Sequence, residues 1–451
     1  MFKYLPHTSD DIKKMLDVIG VNSIEELYSE IPEELKLKRE LQIPSAKSEI
    51  EVRKVIQGLA DKNKSLLCFA GAGTYDHYIP TVVPYIAGRS EFATSYTPYQ
   101  AEVSQGTLAY IFEFQSMIAD LTGMDIANAS MYDDSTATAE AMMMCVAASK
   151  KRNKVLISST FNPDIIRVAE TYAKFRGIEL TLVPASEGIM DKEEAKKLIA
   201  NDDIAGLIVT NTNYYGFIED LSTLADVCHE HKTLFVVNTV ASALSVLTTP
   251  GELGADIACG SAQSLGIPMA FGGPHIGYFC TTNELVRKMP GRLVGATTDT
   301  EGRRTFVLTM QAREQHIRRE KATSNICTSQ GLMCLYVASY LSLMGEQGLL
   351  ELNQQSYATA HYLHDELLKT CVFEDCFPAH PFLNEFTVKA NCNAELLRNR
   401  LAEEGFLLGV ITEGLQDCLT IATTELRSKE EIDTLVKLIK EIFSAYTGLE
   451  K

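Results

Sequence analysis

Between residues 154 and 260 the chain alternates short β-branched runs with amphipathic stretches. KVLIS (154–158) precedes a helical pattern running to Arg176, and IELTLV (178–183) precedes DKEEAKKLIA. IAGLIVT (204–210) precedes DLSTLADVCHEHK, and TLFVVN (233–238) and DIACG (256–260) follow. Apolar runs of strand length separated by helices predict a largely parallel sheet covered on both faces. A large α/β domain is expected over residues 63–335. From residue 336 the pattern changes. A long helical stretch to about 370 leads into FLNEFTV, NAELLRNRLAEEG, FLLGVI and CLTIA. A last helix is opened by the capping box Ser428-Lys-Glu-Glu431 and places Ile432, Leu435, Val436, Ile439, Ile442 and Phe443 on one face. Helices on a small, mainly antiparallel sheet are expected for this C-terminal α+β domain, residues 336–451.

The first 62 residues read as a helical arm. Ser23-Ile-Glu-Glu26 and Ser48-Glu-Ile-Glu51 are capping boxes, and Pro32 and Pro44 punctuate the segment. So short an arm has little core of its own and is expected to pack on something larger.

Composition narrows the function classes. With 46% apolar and 22% charged residues in 451, the chain is an ordinary globular protein, and its net charge of −18 argues against nucleic acid, which needs clustered Lys and Arg. No apolar run reaches the roughly 20 residues of a membrane helix, and the N-terminus has no signal or transit character, so a cytoplasmic location is expected. Eleven cysteines without a CxxC pair and nine scattered histidines predict neither a disulfide framework nor a metal site. The run from Ser65 to His77 contains Gly71-Ala-Gly73 after a strand-like stretch. Asp76 stands where a dinucleotide fingerprint needs its third glycine, so the glycines are read as a close backbone approach.

Residues 234–279, LFVVNTVASALSVLTTPGELGADIACGSAQSLGIPMAFGGPHIGYF, resemble the cofactor segment of a pyridoxal-phosphate enzyme. With residues 94–142, TSYTPYQAEVSQGTLAYIFEFQSMIADLTGMDIANASMYDDSTATAEAM, and 308–330, LTMQAREQHIRREKATSNICTSQ, they resemble the glycine cleavage system P-protein family, in the form split into two polypeptides. The resemblance implies an aspartate-aminotransferase-like fold type I architecture. It also implies a reaction in which glycine forms an imine with pyridoxal phosphate, loses carbon dioxide, and passes the aminomethyl group to the lipoyl arm of H-protein. In the split form the lysine-bearing chain is subunit 2, and the two pair as a heterotetramer.

By the same resemblance, three positions lack the residues the cofactor needs. Gln263 stands at the Schiff-base lysine, Asn238 at the carboxylate that protonates the ring nitrogen, and Asn162 at the histidine over the ring. Glutamine has no amine and asparagine no charge, so no catalytic residue is expected in this chain. At the phosphate end, Asp133 and Asp134 complete the helix dipole and repel a dianion, which favours capping by them over phosphate binding by Ser135 and Thr136. Thr323 and Ser324 resemble hydroxyls that related enzymes send to the neighbouring subunit's cofactor phosphate; a helix-terminal cap is the other reading. Tyr96 and Tyr99 are candidates for a composite glycine pocket, or else core plugs. Arg318, among Arg313, His316, Arg319 and Lys321, is a candidate anion contact, or part of a solvated face. A stand-alone pyridoxal-phosphate enzyme using another lysine and a non-catalytic scaffold remain the alternatives.

Overall fold

The computed structural model describes Tyr4 and residues 6–93, 95–149, 151–201, 203–378 and 380–449. Two compact units are separated, Met1–Lys64 and Ser65–Lys451. The first carries helices α1 (Ser9–Ile19) and α2 (Glu49–Ala60). The Ser48 box caps α2 as expected, and Thr8 with Asp11 forms an equivalent box on α1. Ser23 accepts from the Glu26 amide, but only a short 3₁₀ turn follows.

In the second unit, seven strands form one sheet: β1 (Ile126–Ala127), β2 (Lys154–Ser158), β3 (Glu179–Val183), β4 (Ile204–Thr210), β5 (Leu234–Asn238), β6 (Ile257–Ser261) and β7 (Gly277–Thr281). Their order is β1-β7-β6-β5-β4-β2-β3, all parallel except β7, which runs antiparallel to both neighbours. Every residue of β4 is buried, as a central strand covered on both faces requires. Alternation along the strands divides the core. Val155, Ile157, Ile208 and Val236 face α4 (Asp134–Ser149), whereas Leu156, Leu207, Val209 and Val237 face α3 (Gln105–Thr122) and the start of α8 (Gly331–Leu368). Helices α5 (Pro163–Arg176), α6 (Lys192–Ile199) and α7 (Leu224–Glu230) complete the connections.

Helix α8 bends at Gly345, whose φ of 60° and ψ of −171° leave the helical region. Residues up to Leu352 pack in the core of the large sheet, and Ala360, Leu363 and Leu367 pack in a second core. The second core sits under an antiparallel sheet of strands β8 (Phe373–Asp375), β9 (Glu385–Ala390), β10 (Val410–Ile411) and β11 (Cys418–Ala422), ordered β8-β9-β11-β10. Helices α9 (Ala394–Glu403) and α10 (Lys429–Leu449) cover it. In α10, Ile432, Leu435, Val436 and Ile439 are buried, while Ile442 and Phe443 are partly so. FLLGVI is two short strands rather than one, broken at Gly409, whose φ is 61°. The first of them, Phe406–Leu407, pairs in parallel with Leu67–Cys68, so the chain enters this unit beside its C-terminal sheet and then crosses to the large one.

Candidate functional site

A cleft with about 800 Å³ of empty space opens outside the carboxyl ends of β4 and β5. Asn238 ends β5, Asp133 and Asp134 begin α4, and Asn162 caps α5; all four line the cleft. Glu385 reaches it from the small sheet.

Each polar group has a defined task. The Asn238 amide donates to the Asp134 carboxylate and, at 2.9 Å, to Thr138 Oγ1. Burial pushes Asp134 up to about 6, against the hydrogen bond from Asn238 that lowers it. Asp133 accepts from the Thr136 amide at 2.8 Å, and Thr136 Oγ1 accepts from the Asp133 amide at 3.3 Å. The helix start is thus capped by its own carboxylate and hydroxyl. Asn162 accepts from the Asp164 amide at 2.9 Å and donates to the Ala72 carbonyl at 3.2 Å. It therefore fastens the Gly71–Gly73 loop over the cleft.

Gln263 is 2% exposed and does not line the cleft. Its Oε1 accepts from the Tyr75 amide at 3.0 Å, and its Nε2 donates to the carbonyls of Tyr75 at 3.0 Å and Ile267 at 2.7 Å. Both ends of the amide are bonded, and two of its three bonds hold the main chain of Tyr75, which itself lines the cleft. Tyr75 in turn donates through Oη to Glu385 at 2.9 Å, and the Ala72 amide donates to the other Glu385 oxygen. A Cβ on Gly71 would meet Glu385 Oε1 at 2.1 Å, so the close approach expected of these glycines is to this carboxylate. Burial pushes Glu385 up to about 7.

Among its described lining residues the cleft has four carboxylates, Asp133, Asp134, Asp164 and Glu385, and no lysine or arginine. Burial lowers the pKa of His275, which favours its neutral form. Such a lining does not fit pyridoxal phosphate. There is no amine to tether the aldehyde, no cation for the phosphate dianion, and a helix N-terminus already occupied by Asp133. Asn238→Asp, which would put a carboxylate on β5, is expected to destabilise the protein by about 2 kcal/mol at pH 8 and much less at pH 5. It removes the donor to Asp134 and sets a like charge beside it. Urea unfolding at the two pH values measures this.

The remaining candidates lie elsewhere. Ser324 is buried; it donates to Glu140 at 2.9 Å and accepts from the Ile326 amide, while neighbouring Thr323 is exposed. Tyr96 is 89% exposed. Tyr99 is half exposed, and its hydroxyl accepts from Arg292 at 3.0 Å with the guanidinium 5.0 Å from its ring centre. Arg318 is exposed and donates to the Ala312 carbonyl. The structure thus brings Asn238 and Asn162 together with Asp134, puts Gln263 beneath them, and keeps Thr323, Tyr96 and Arg318 out of this cleft. Sequence reasoning missed Glu385 and Arg292. The signal for Glu385 was a single carboxylate inside the apolar strand run FLNEFTV; nothing in the sequence around Arg292 marks its burial.

Sheet order, cleft position and the appended antiparallel layer define the class: a fold type I pyridoxal-phosphate-dependent transferase-like fold. An alanine–glyoxylate aminotransferase from Nostoc sp. shares it at a TM-score of 0.61 and 16% identity, over 85% of this chain and 96% of that one. A glycine decarboxylase (P-protein) of the glycine cleavage system, solved in inhibitor-bound form, superposes with a TM-score of 0.90 at 40% identity, over 98% of this chain and 100% of that one. The glycine cleavage system P-protein family matches residues 2–439. The chain belongs to that family. A relative from Anoxybacillus flavithermus, named probable glycine dehydrogenase (decarboxylating) subunit 1, is 49% identical over 97% of this chain and 98% of its own length. One of the same name from Bacillus pumilus is 48% identical over 96% and 98%.

Proposed function

We propose that this chain is the half of a two-chain glycine decarboxylase that lacks the Schiff-base lysine. Its partner, a subunit 2, carries pyridoxal phosphate on a lysine, and the pair passes the aminomethyl group of glycine to the lipoyl arm of H-protein. Pyridoxal phosphate supplies the electron sink for decarboxylation. The observation that carries the reading is the state of position 263: a glutamine with both amide ends bonded, beneath a cleft lined by carboxylates. This chain shapes the partner's site. Thr323 donates to the partner-bound phosphate, Ser324 fixes that turn through Glu140, and Tyr96 and Arg318 border the glycine pocket, with Tyr99 set behind it on Arg292. The assembly is a heterotetramer of two copies of each chain. The site of action is the cytoplasm, in keeping with the absence, among the described residues, of a helix long and apolar enough to cross a membrane.

Co-expression with a lysine-bearing partner, borohydride reduction and mass spectrometry test the assignment. The expected result is a pyridoxyl group on the partner alone, with glycine-dependent carbon dioxide release only when both chains and H-protein are present. A pyridoxyl group on a lysine of this chain would favour a stand-alone enzyme. No carbon dioxide release from the complete mixture would favour a scaffold. Thr323→Val, which keeps shape and removes the donor, is expected to weaken pyridoxal-phosphate binding by the pair about fivefold, the worth of one hydrogen bond of about 1 kcal/mol. Cofactor titration of the assembled pair checks it.

A further inference from the structure

We propose that Cys376 and Cys418 form a dithiol pair that hydrogen peroxide oxidises reversibly to a disulfide. The two sulfurs lie 2.9 Å apart, although the residues are 42 positions apart in sequence. Among the described residues no other two thiols share a hydrogen bond. The sheet brings them together. Cys418 opens β11 opposite Lys389 of β9, and Lys389 lies opposite Glu374 of β8 and bonds it at 3.0 Å. Two residues beyond Glu374 the chain bends, and Cys376 there meets Cys418. Cys376 is half-buried and meets solvent at the bend, whereas Cys418 is 4% exposed behind it.

The thiols are also polarised. The hydrogen bond from Cys376 holds the Cys418 thiol below its ordinary value, and nearby Lys389 lowers it further against the effect of burial. The same bond, with burial, raises Cys376. Cys376 thus donates to Cys418, whose own thiol donates to the Gln416 carbonyl at 3.4 Å. Burial raises the thiols of the fully buried Cys145, Cys259, Cys280 and Cys334.

The chemistry balances with peroxide as the oxidant. One thiolate attacks a peroxide oxygen, the O–O bond breaks, and the departing hydroxide takes a proton as water, leaving a sulfenic acid. The second sulfur attacks the sulfenic sulfur; the S–S bond forms, the S–O bond breaks, and a second water leaves. Two thiols and one peroxide give one disulfide and two waters. The bond would fasten the bend that carries Phe377, whose ring packs on Tyr215 at 4.9 Å and Phe217 at 5.8 Å between centres. The oxidation state of the pair thereby reaches Tyr215 and, through its ring contact, Tyr214, which lines the cleft outside β4 and β5.

The test is peroxide titration of the folded full chain, followed by alkylation and peptide mass spectrometry, with the exposed Cys327 and Cys371 as internal comparisons. The expected result is one cross-linked peptide pair containing residues 376 and 418, lighter by two hydrogens, formed roughly tenfold faster than Cys327 or Cys371 gains oxygen. Dithiothreitol should reverse it. In Cys418→Ser the cross-link is lost and residue 376 carries added oxygen or remains a thiol. Oxidation of Cys327 and Cys371 ahead of the pair, or cross-links that scatter among other cysteines, would overturn the proposal.

Discussion

Gln263→Lys is expected to lower unfolding free energy by about 3–5 kcal/mol and to gain no covalent cofactor. Lysine cannot accept the Tyr75 amide hydrogen now held by Gln263 Oε1, which leaves a buried N–H unpaired at a cost of about 1–3 kcal/mol. It also places an ammonium at a site 2% exposed, where the carbonyls of Tyr75 and Ile267 only partly replace its hydration. For a fold whose whole margin is about 5–15 kcal/mol, that is a large fraction. The substitution would still not create an enzyme, because the obstacle is not one residue. Position 263 does not line the cleft, Asn238 offers no carboxylate, and the start of the helix after Asp133 is lined by Asp133 and Asp134. Guanidinium unfolding measures the first claim. Borohydride reduction with pyridoxal phosphate, followed by peptide mass spectrometry, measures the second. A variant as stable as the parent that carries a pyridoxyl group at residue 263 would sink the account of the cleft.

The strand runs of the large sheet were legible because buried parallel strands read as continuous apolar text. KVLIS and IAGLIVT coincide with β2 and β4, and TLFVVN with β5 to within a residue. Caps were legible for the same local reason: hydroxyl and carboxylate three residues apart satisfy amides in their own turn, as Ser48 with Glu51 and Ser428 with Glu431 do. What could not be read was contact between distant segments. Glu385 and Tyr75 are 310 positions apart, Gln263 and Tyr75 are 188 apart, and Ser324 meets Glu140 across 184. These ties decide that Gln263 is a clamp and that Ser324 has an internal partner. Neither follows from its neighbours in sequence. The crossing of Leu67–Cys68 to Phe406–Leu407 was hidden in the same way, since two-residue strands carry no period to detect.

Glu385→Gln is expected to raise stability by about 3 kcal/mol at pH 8 and to change it little at pH 4, so the variant's stability curve is flatter than the parent's. Burial raises the folded pKa of Glu385 from 4.5 to about 7, and the hydrogen bonds from the Ala72 amide and Tyr75 Oη only partly oppose this. The raised value means that the folded protein holds its proton where the unfolded chain has already released it. Stability from this group is therefore fully present below about 4.5, falls as pH climbs between 4.5 and 7, and is gone above 7. A shift of this size is worth about 3 kcal/mol. Glutamine stays neutral at every pH and retains both contacts. Its carbonyl accepts from Ala72, and its amide donates to Tyr75 Oη once that hydroxyl rotates. Asp134, raised to about 6, and Glu140, raised to about 7, add slopes of the same sign, so the variant's curve is flattened and not level. Urea unfolding of parent and variant from pH 4 to pH 8 reads the difference directly. Parallel curves would show that the Glu385 carboxylate is already ionised at little cost, and that the loop from Gly71 to Tyr75 is held by a charge the fold tolerates.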